Sequence, residues 1–356
     1  MGALSRRAHR RRVIRTDEDV GALRREVAVL AAGLPGLRHG DVELVATELA
    51  TNIIRHTTTG GYVLYRQTAG GIELLAIDHG PGGRPAGTPP WAVPSRLGQT
   101  RLRPFRGDGL GVGLAAVQRL ASAFDCYSEP GGTVILARLG LPTPVTAGRW
   151  RWGGVNVPLG GVGESGDAWA VTAKQHLAAL VVDGLGHGPA AAMAARAAVT
   201  LFERQEVTDL DGFVRRAHEA MRGTRGGVMG VCLIDPERDE LTYAGVGNIS
   251  GRVLLRGDSH TLLGRDGTLG TELPPPRIRL ARYPWGPGAT LLLASDGIRS
   301  RWDAASYPKL LHHDPAVIAA TLQRAHGRGN DDTTVLVVHD TRDRELRSAP
   351  GEGGGP

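Results

Sequence analysis

The chain has 356 residues, which is more than one ordinary hydrophobic core needs, and we expect two domains. Hydrophobic residues make up 41% and charged residues 22% of the chain, a composition that excludes a wholly disordered protein. The formal net charge is +6, and much of the excess lies in Arg6, Arg7, Arg10, Arg11 and Arg12. Such a run is more often a solvated tail than a nucleic-acid site, and no nucleic-acid-binding motif accompanies it.

Two features bear on where the protein works. No stretch of about 18 apolar residues occurs, and the start lacks the apolar core of a signal peptide, so we expect neither a membrane span nor secretion. The two cysteines, Cys126 and Cys232, lie in apolar, strand-like runs without a CxxC motif. They are interpreted as reduced core residues in a reducing compartment. The sequence therefore predicts a cytoplasmic protein with no membrane or nucleic-acid partner.

The first half of the chain contains two long helical patterns, two strands joined by a glycine turn, a further helix and a closing strand. These elements are predicted at residues 16–34, 41–56, 61–67, 72–78, 114–123 and 133–139. Residues 80–111 are rich in proline and glycine and lack periodicity, as expected of a lid or binding loop.

A linker is predicted at residues 141–149, because this segment holds two prolines and small residues with little to bury. We therefore expect one domain over residues 13–140, a second over 150–340, and a glycine-rich disordered tail at 341–356. The second domain has strand and helix patterns of its own. Strands are predicted at 168–173, 177–183, 228–234, 240–246, 252–255, 290–295 and 333–339, and helices at 189–202, 210–221 and 315–325.

A polar face on the second predicted helix is the first candidate site. Glu48, Asn52 and His56 follow one another at a spacing of four residues, which places them on one face of the helix. Such a face is often only a solvated edge. Here, however, a strand ends at Asp78, whose carboxylate is suited to accept from the exocyclic amine of an adenine. Glycines let backbone N–H groups approach a phosphate, and they follow this strand and precede the next helix. They are Gly80, Gly82, Gly109, Gly111 and Gly113.

The motifs ELATN, DHGPG and GLGVGLA, in this order, resemble the N, G1 and G2 boxes of the GHKL ATPase and kinase fold. The run GLGVGLAAVQRLASAF is similar to the small anti-sigma and RsbT-type serine kinases, and the resemblance covers roughly residues 13–140. It implies that Asn52 holds Mg²⁺ with ATP, that Asp78 reads adenine, and that Glu48 acts as a base toward the acceptor hydroxyl. It also implies that the glycines named above shape the pocket and lid, and that Thr133 belongs to the ATP-binding residues.

Histidine kinases share these boxes but carry a phosphoacceptor histidine on a dimerising helix upstream. Only a short basic segment precedes the first helix here, so autokinase activity of that type is not expected. His56 is interpreted either as a member of the site's polar network or as a residue of the helix end.

Three aspartates at strand ends form the second candidate site. Asp183 follows an apolar strand and precedes Gly184 in a glycine-rich turn. Asp296 follows another strand, and Asp331 precedes the last one. A single aspartate at such a place is usually a turn or cap residue. Three of them, each beside a glycine or a second polar residue, are less readily a coincidence, and a hard divalent cation needs such oxygen ligands.

This pattern resembles the metal-dependent PPM phosphatases, specifically the bacterial SpoIIE and RsbX branch, over about residues 150–340. The resemblance implies two Mn²⁺ or Mg²⁺ ions, which lower the pKa of a water molecule, neutralise the phosphate and stabilise the in-line transition state. The implied ligands are Asp183, the carbonyl of Gly184, Asp296, Asp331 and, directly or through water, Asp167. The choice of Asp331 over the adjacent Asp332 depends on the register of the motif.

We therefore predict an α/β (α+β) chain with a GHKL α/β sandwich followed by a PPM-type α/β/β/α sandwich. The resemblance implies a serine kinase and a serine/threonine phosphatase that act on a STAS-domain anti-sigma antagonist or a related protein, with a sigma factor as a further partner. The alternative is that the first domain is a nucleotide-regulated binding module and that only the phosphatase is catalytic.

Two smaller expectations concern positively charged side chains. The pair His312 and His313 lacks a third metal ligand at a useful spacing and is interpreted as surface. The loop at 80–111 carries five arginines, and we hypothesise that nucleotide binding biases phosphatase output through them and through contacts between the domains. They are Arg84, Arg96, Arg101, Arg103 and Arg106.

Overall fold

The computed structural model describes residues 8–34, 36–80, 92–94, 100–102, 110–140, 146–303 and 306–342. Several residues singled out in the sequence lie outside these ranges: Gly82, Gly109, Arg84, Arg96, Arg103 and Arg106. Most of the predicted tail also lies outside them. Within the described ranges, no helix is both long and apolar enough to cross a membrane.

The first half of the chain builds one antiparallel sheet with helices on a single face. Its elements are β1 (Arg10–Ile14), α1 (Asp17–Ala31), α2 (His39–His56), β2 (Gly61–Gln67), β3 (Gly71–Asp78), β4 (Ala92–Pro94), β5 (Thr100–Leu102), α3 (Leu110–Leu120), β6 (Ala123–Glu129) and β7 (Gly132–Gly140). The sheet order is β1-β2-β3-β7-β6, and β4 and β5 form a separate hairpin. The predicted α/β sandwich is confirmed here, because the apolar side of all three helices packs on one face of the sheet.

Helix α2 forms where the sequence predicted it. Val42, Val45, Leu49 and Ile53 recur every three or four residues, and all four are buried against the sheet. Because this stripe fixes the rotation of the helix, the polar residues Glu48 and Asn52 are held at its partly buried edge.

The interpretation of the basic run as a solvated tail was wrong for residues 10–12. Arg10 to Arg12 belong to β1, which pairs with β2 along its whole length. The guanidinium of Arg11 lies 4.1 Å from the ring centre of Tyr62, and Arg12 forms an ion pair with Glu26. Charge alone suggested a tail, but the arginines satisfy their charges on neighbouring elements while Ile14 enters the core.

The second half of the chain builds two sheets that pack face to face. Its elements are β8 (Thr146–Ala147), β9 (Trp150–Val157), β10 (Asp167–Ala173), β11 (Leu177–Gly184), α4 (Pro189–Arg204), α5 (Leu210–Met221), β12 (Gly227–Asp235), β13 (Glu240–Val246), β14 (Ser250–Leu255), β15 (Asp258–Leu262), β16 (Leu280–Pro284), β17 (Thr290–Ala294), α6 (Pro315–His326) and β18 (Thr333–Asp340). The orders are β10-β11-β12-β13-β16 and β15-β14-β17-β18-β9-β8. Helices α4 and α5 cover the sheet that begins with β10, and α6 covers the sheet that begins with β15. This arrangement confirms the predicted α/β/β/α architecture.

The two halves share a hydrophobic core, which the predicted linker gave no reason to expect. The outer face of the first sheet contributes Tyr62, Leu75 and Leu136, and these pack with Ala316 and Ala320 of α6. The charges of this interface are also buried, since Arg138 bonds both Glu73 and Asp314 at 2.7 to 3.0 Å. The segment predicted as a linker contains β8. Among the described elements, β7 of the first half is followed by β8 of the second half, and residues 141–145 lie between them.

The assignment of His313 to the surface was wrong. Its Nδ1 lies 2.9 Å from Asp125 Oδ1, and its side chain is 12% exposed. The backbone N–H of Asp314 donates to the same carboxylate of Asp125. The residue therefore belongs to the contact between the domains, whereas His312 is exposed as expected.

Candidate functional site

The candidate nucleotide site lies where β3 and α2 end and β7 begins. Asp78 ends β3, and its Oδ1 accepts hydrogen bonds from the backbone N–H of Gly80 at 2.9 Å and of Thr133 at 3.1 Å. Thr133 Oγ1 also lies 3.1 Å from Ser128 Oγ. The structure thus brings Thr133 next to Asp78 and Gly80, although Thr133 lies 55 residues after Asp78 in the sequence.

Glu48 faces the start of α3 across this site. A Cβ atom on Gly113 would collide with the Glu48 carboxylate, so a larger residue at this position of the helix would displace that side chain. Asn52 lies one turn further along α2, and its Nδ2 is buried with no hydrogen-bond partner among the described residues. A buried amide donor without a partner is costly, which is consistent with a ligand at this point.

His56 is the last residue of α2 and is exposed. Burial of part of the ring, together with the nearby charge of Arg55, lowers the pKa of His56 below its ordinary value. A mainly neutral imidazole at an exposed helix end favours the interpretation of His56 as a helix-end residue.

The candidate metal site is a cleft of about 230 Å³ in the second domain. Its walls include Asp183 at the end of β11, Asp296 after β17 and Asp331 before β18. The cleft also contains Asn248 and Asp266, which the sequence analysis missed. Asn248 Nδ2 donates to Asp296 Oδ2 at 2.9 Å. Asn248 lies two residues after β13, beyond Gly247, and its local sequence gives no signal that singles it out.

The neighbouring aspartates Asp331 and Asp332 occupy different environments. Asp332 is 2% exposed, and its two oxygens accept from the backbone N–H of Leu159 and of Gly166, both at 2.6 Å. Asp331 lines the cleft. The carboxylate of Asp332 is therefore occupied in holding the loop before β10, while that of Asp331 faces the cleft.

Asp167 lies beside the cleft, opposite Asp183 in the pairing of β10 with β11. Its Oδ2 accepts from Ser295 Oγ at 2.6 Å, and the same hydroxyl accepts from the backbone N–H of Thr334 at 3.0 Å. Burial, and then the charge of Asp183, raises the pKa of Asp167 well above its ordinary value. The hydroxyl of Ser295 thus links the carboxylate of Asp167 to β18, next to Asp296 and Asp331.

The charge of the cleft favours a cation. Burial raises the pKa of Asp183, and the charges of Asp296 and Asp331 raise it further. A divalent ion would relieve this repulsion and stabilise the ionised carboxylates. Among the described residues, no three carboxylate, imidazole or thiol groups converge closely enough to hold one ion by themselves. A cation in the cleft would therefore need backbone oxygens and water as additional ligands.

Comparisons with known proteins match both halves. Residues 173–340 match the model of the Stage II sporulation protein E (SpoIIE) family, and residues 14–139 match the histidine kinase-like ATPase domain. Phosphoserine phosphatase RsbX of Bacillus subtilis (strain 168) is 28% identical over 137 residues, which are 37% of this chain and 67% of RsbX.

Two solved structures are similar to the second half. A chain from work on the bacterial stressosome, a modular system adapted to control secondary messenger signalling, is 30% identical with a TM-score of 0.49, over 53% of this chain and 98% of that one. RsbX in complex with magnesium is 23% identical with a TM-score of 0.48, over 55% of this chain and 96% of that one.

The fold and the family matches define a class of protein that joins an ATPase-like α/β sandwich to a PPM-type phosphatase sandwich. Within this class, residues 14–139 are similar to the histidine kinase-like ATPase domain and residues 173–340 are similar to the SpoIIE family.

Proposed function

We propose that this protein is a metal-dependent protein-serine/threonine phosphatase that acts on a phosphorylated STAS-domain anti-sigma antagonist or a related protein. The observation that carries the proposal is the cleft in which Asp183, Asp296 and Asp331 meet from three separate segments. Burial and the neighbouring charges of Asp296 and Asp331 raise the pKa of Asp183, so a bound cation would stabilise the ionised carboxylates at this place.

Two Mn²⁺ or Mg²⁺ ions fit the donors of the cleft. Asp183, Asp296, Asp331 and the carbonyl of Gly184 would hold them, with Asp167 reaching the second ion directly or through water. Bound ions would activate water and neutralise the phosphate that is cleaved. A Cβ atom at Gly184 would collide with the backbone carbonyl of Ala191, so this position does not accommodate a side chain.

The remaining residues of the cleft orient these donors. Asn248 fixes one oxygen of Asp296, which leaves the other oxygen for a cation. Ser295 holds Asp167, and Asp332 holds the loop from Leu159 to Gly166 that leads into β10. Such contacts reduce the reorganisation that ligand binding would otherwise require.

The substrate class is inferred from relatives. RsbX is a phosphoserine phosphatase, and the other similar chain was solved in work on the stressosome. A STAS-type partner suits both this similarity and the ATPase-like domain, which resembles kinases of such partners. A sigma factor is a further partner under the same reasoning.

The first domain is proposed to bind ATP with Mg²⁺ and to phosphorylate a serine of the same partner. Asp78 and Thr133 would bind the adenine, Asn52 the ion, and Glu48 would accept the proton of the serine hydroxyl. Two observations support a ligand site at this place: Asn52 Nδ2 is buried with no hydrogen-bond partner among the described residues, and Glu48 lies close to Gly113. The second candidate is a binding module in which the same site holds a nucleotide without phosphotransfer.

Hydrolysis of p-nitrophenyl phosphate and of a phosphoserine peptide, followed against Mn²⁺ concentration, tests the phosphatase. Asp183→Asn is expected to lower the rate at least about 1,000-fold, because it removes a charged ligand at the centre of the cleft. Asp258→Asn, an exposed aspartate on β15, is the matched control and should keep the wild-type rate. Wild-type turnover by Asp183→Asn would contradict the proposal.

Transfer of labelled phosphate from ATP to a purified STAS-domain partner separates the two candidates for the first domain. The assay uses the Asp183→Asn chain, so that product is not removed. Labelled serine that disappears in a Glu48→Gln derivative supports a kinase. Nucleotide binding without any transfer supports the binding module.

A further inference from the structure

Helix α6 lies between the two candidate sites. All residues from Pro315 to Gln323 are buried, because one side of the helix packs on the second domain and the other side packs on the outer face of the first sheet. No solvent-exposed face remains along these nine residues. A displacement of this helix would therefore be felt in both domains.

The C-terminal part of α6 supports the turn that leads to the nucleotide site. Arg324, whose side chain is 3% exposed, forms an ion pair with Glu129 at the end of β6. Gln323 Oε1 accepts from the hydroxyl of Tyr62 at 2.8 Å. Both contacts reach the first sheet from the face opposite to α2.

Gly132 shows how closely this support approaches the site. Its φ is +134°, and a Cβ atom there would collide with the carbonyl of Asp78 on one side and with Arg324 Nη1 on the other. The next residue is Thr133, whose N–H bonds the carboxylate of Asp78. Arg324 is thus separated from the adenine-binding residues only by the backbone of one glycine.

Arg324 is also incompletely satisfied. Its Nη1 is buried and has no hydrogen-bond partner among the described residues. A buried guanidinium donor without a partner is costly, so the contact of Arg324 with this turn is not fully satisfied in the present arrangement.

The same end of α6 is bonded to the loop of the metal site. The carbonyl of His326 accepts from the N–H of Arg299 at 2.9 Å, and the N–H of Arg328 donates to the carbonyl of Gly297 at 2.8 Å. Gly297 directly follows Asp296. A continuous path of about two helical residues and two backbone hydrogen bonds thus joins Arg324 to a residue of the candidate metal cleft.

We propose that the end of α6 couples the two sites, with Arg324 as the positioning residue. Nucleotide binding would fix the turn at Gly132 and Thr133, hold Arg324 and the helix end in one arrangement, and thereby order the loop at Asp296. Nucleotide binding would in this way tighten metal binding in the cleft. By thermodynamic reciprocity, metal binding would tighten nucleotide binding by the same factor. This inference rests on the proposed nucleotide and metal sites. It does not involve the loop at 80–111.

Hydrogen exchange of the full-length chain at constant Mg²⁺, with and without ADP, is the first test. Two peptides are followed, one containing Thr133 and one covering residues 296–303. In the wild type, ADP is expected to slow exchange in both, by about fivefold or more. In Arg324→Gln, ADP should protect only the peptide with Thr133, because the path to the loop is broken.

The second test is calorimetry of ADP binding at constant Mg²⁺, in chains with an intact metal cleft and in chains with Asp183→Asn. Asp183→Asn should weaken ADP binding about fivefold or more in the wild-type background and leave it unchanged in the Arg324→Gln background. Arg215→Gln is the matched control, since Arg215 also pairs with a carboxylate but lies exposed on α5. It should behave as the wild type in both tests. Arg324→Lys retains a charge opposite Glu129 without the planar guanidinium, and it replaces Arg324→Gln where the latter does not fold.

The outcomes distinguish the coupling from the function on which it rests. Absence of ADP protection at Thr133 in the wild type would refute the nucleotide site and the coupling together. Protection at Thr133 without protection at 296–303 would overturn the coupling and leave the nucleotide site intact. Protection of the 296–303 peptide by ADP that persists in both Arg324 variants would also overturn the coupling.

Discussion

Adjacent residues of the same type have different tasks in the metal cleft. Asp331 faces the cleft, whereas both oxygens of Asp332 accept backbone hydrogen bonds from a neighbouring loop. Sequence alone left the choice between the two to the register of a motif. The geometry supports Asp331 as the proposed ligand, because a carboxylate with both oxygens occupied is a poor donor to an ion.

We expect Asp331→Asn and Asp332→Asn to fail in different ways. Asp331→Asn should lower phosphatase activity and weaken Mn²⁺ binding with little change in stability. Asp332→Asn should lower the free energy of unfolding by about 1–3 kcal/mol, because it weakens two buried charge-assisted hydrogen bonds. Activity assays and urea unfolding, run in parallel, check both. The reverse pattern would assign the ligand to Asp332.

Asn52 is the residue of the nucleotide site with the clearest unmet requirement. Asn52→Ala removes the side chain whose buried Nδ2 has no hydrogen-bond partner in the part of the chain that the structure describes. The variant should therefore fold normally and lose Mg²⁺-dependent ATP binding by about tenfold or more. Calorimetry measures the affinity. Leu44→Ala, an exposed position of the same helix, is the control. Equal affinity of wild type and Asn52→Ala would count against the site.

At the scale of elements, the first turn of α3 packs closely against Glu48 of α2, with Gly113 directly beside the Glu48 carboxylate. Gly113→Ala would improve helix propensity at most positions, by about 1 kcal/mol. Here the new methyl group would collide with the Glu48 carboxylate. We expect weaker nucleotide binding and no gain in stability. Gly40→Ala on α2, where a Cβ would meet nothing within 4 Å, should gain stability and retain binding. Calorimetry and thermal unfolding distinguish the two variants.

Elements with a strong local pattern were predictable from the sequence. The apolar stripe of α2 and the strand that ends at Asp183 are where periodicity placed them. The resemblance to known families implied that Asp183, Asp296 and Asp331 share one site, and all three line the same cleft. The resemblance to known families added the order of the motifs.

Features that depend on contacts between distant elements were not predictable. The arginines of β1 were predicted to form a tail, because the local sequence does not show that Arg11 contacts Tyr62 and that Arg12 pairs with Glu26. Asn248 has no distinctive sequence context until Asp296 is placed beside it. The burial of α6 on both sides was equally hidden, because alanines on a second face of a helix do not form a strong pattern.

At the scale of the whole molecule, His9 lies at the junction of the domains. Its Nδ1 accepts from the N–H of Asn156 at 3.3 Å, so Nε2 carries the proton that faces Glu73 Oε1 at 3.2 Å. Burial, and then the charge of Arg66, lowers the pKa of His9 to about 4. The ring is therefore neutral despite its contact with a carboxylate.

This pKa predicts a loss of stability in mild acid. The unfolded chain takes up a proton on His9 near pH 6.5, whereas the folded chain does so only near pH 4. Stability from His9 is thus present above pH 6.5 and is lost as the pH falls toward 4, by roughly 3 kcal/mol. Urea unfolding at pH 7 and pH 5 should show a smaller difference for His9→Gln than for the wild type. The comparison cancels the contribution of other groups, and an equal difference in both chains would contradict it.

We propose that the carboxylate cleft of the second domain is a site for two divalent metal ions. Calorimetric titration of the metal-free, nucleotide-free chain with Mn²⁺ is the test, because it counts bound ions without depending on any substrate. We predict two ions per chain in the wild type and loss of both in Asp183→Asn, with Asp258→Asn as the control. Mn²⁺ binding that is absent in the wild type, or that Asp183→Asn leaves unchanged, would contradict the claim.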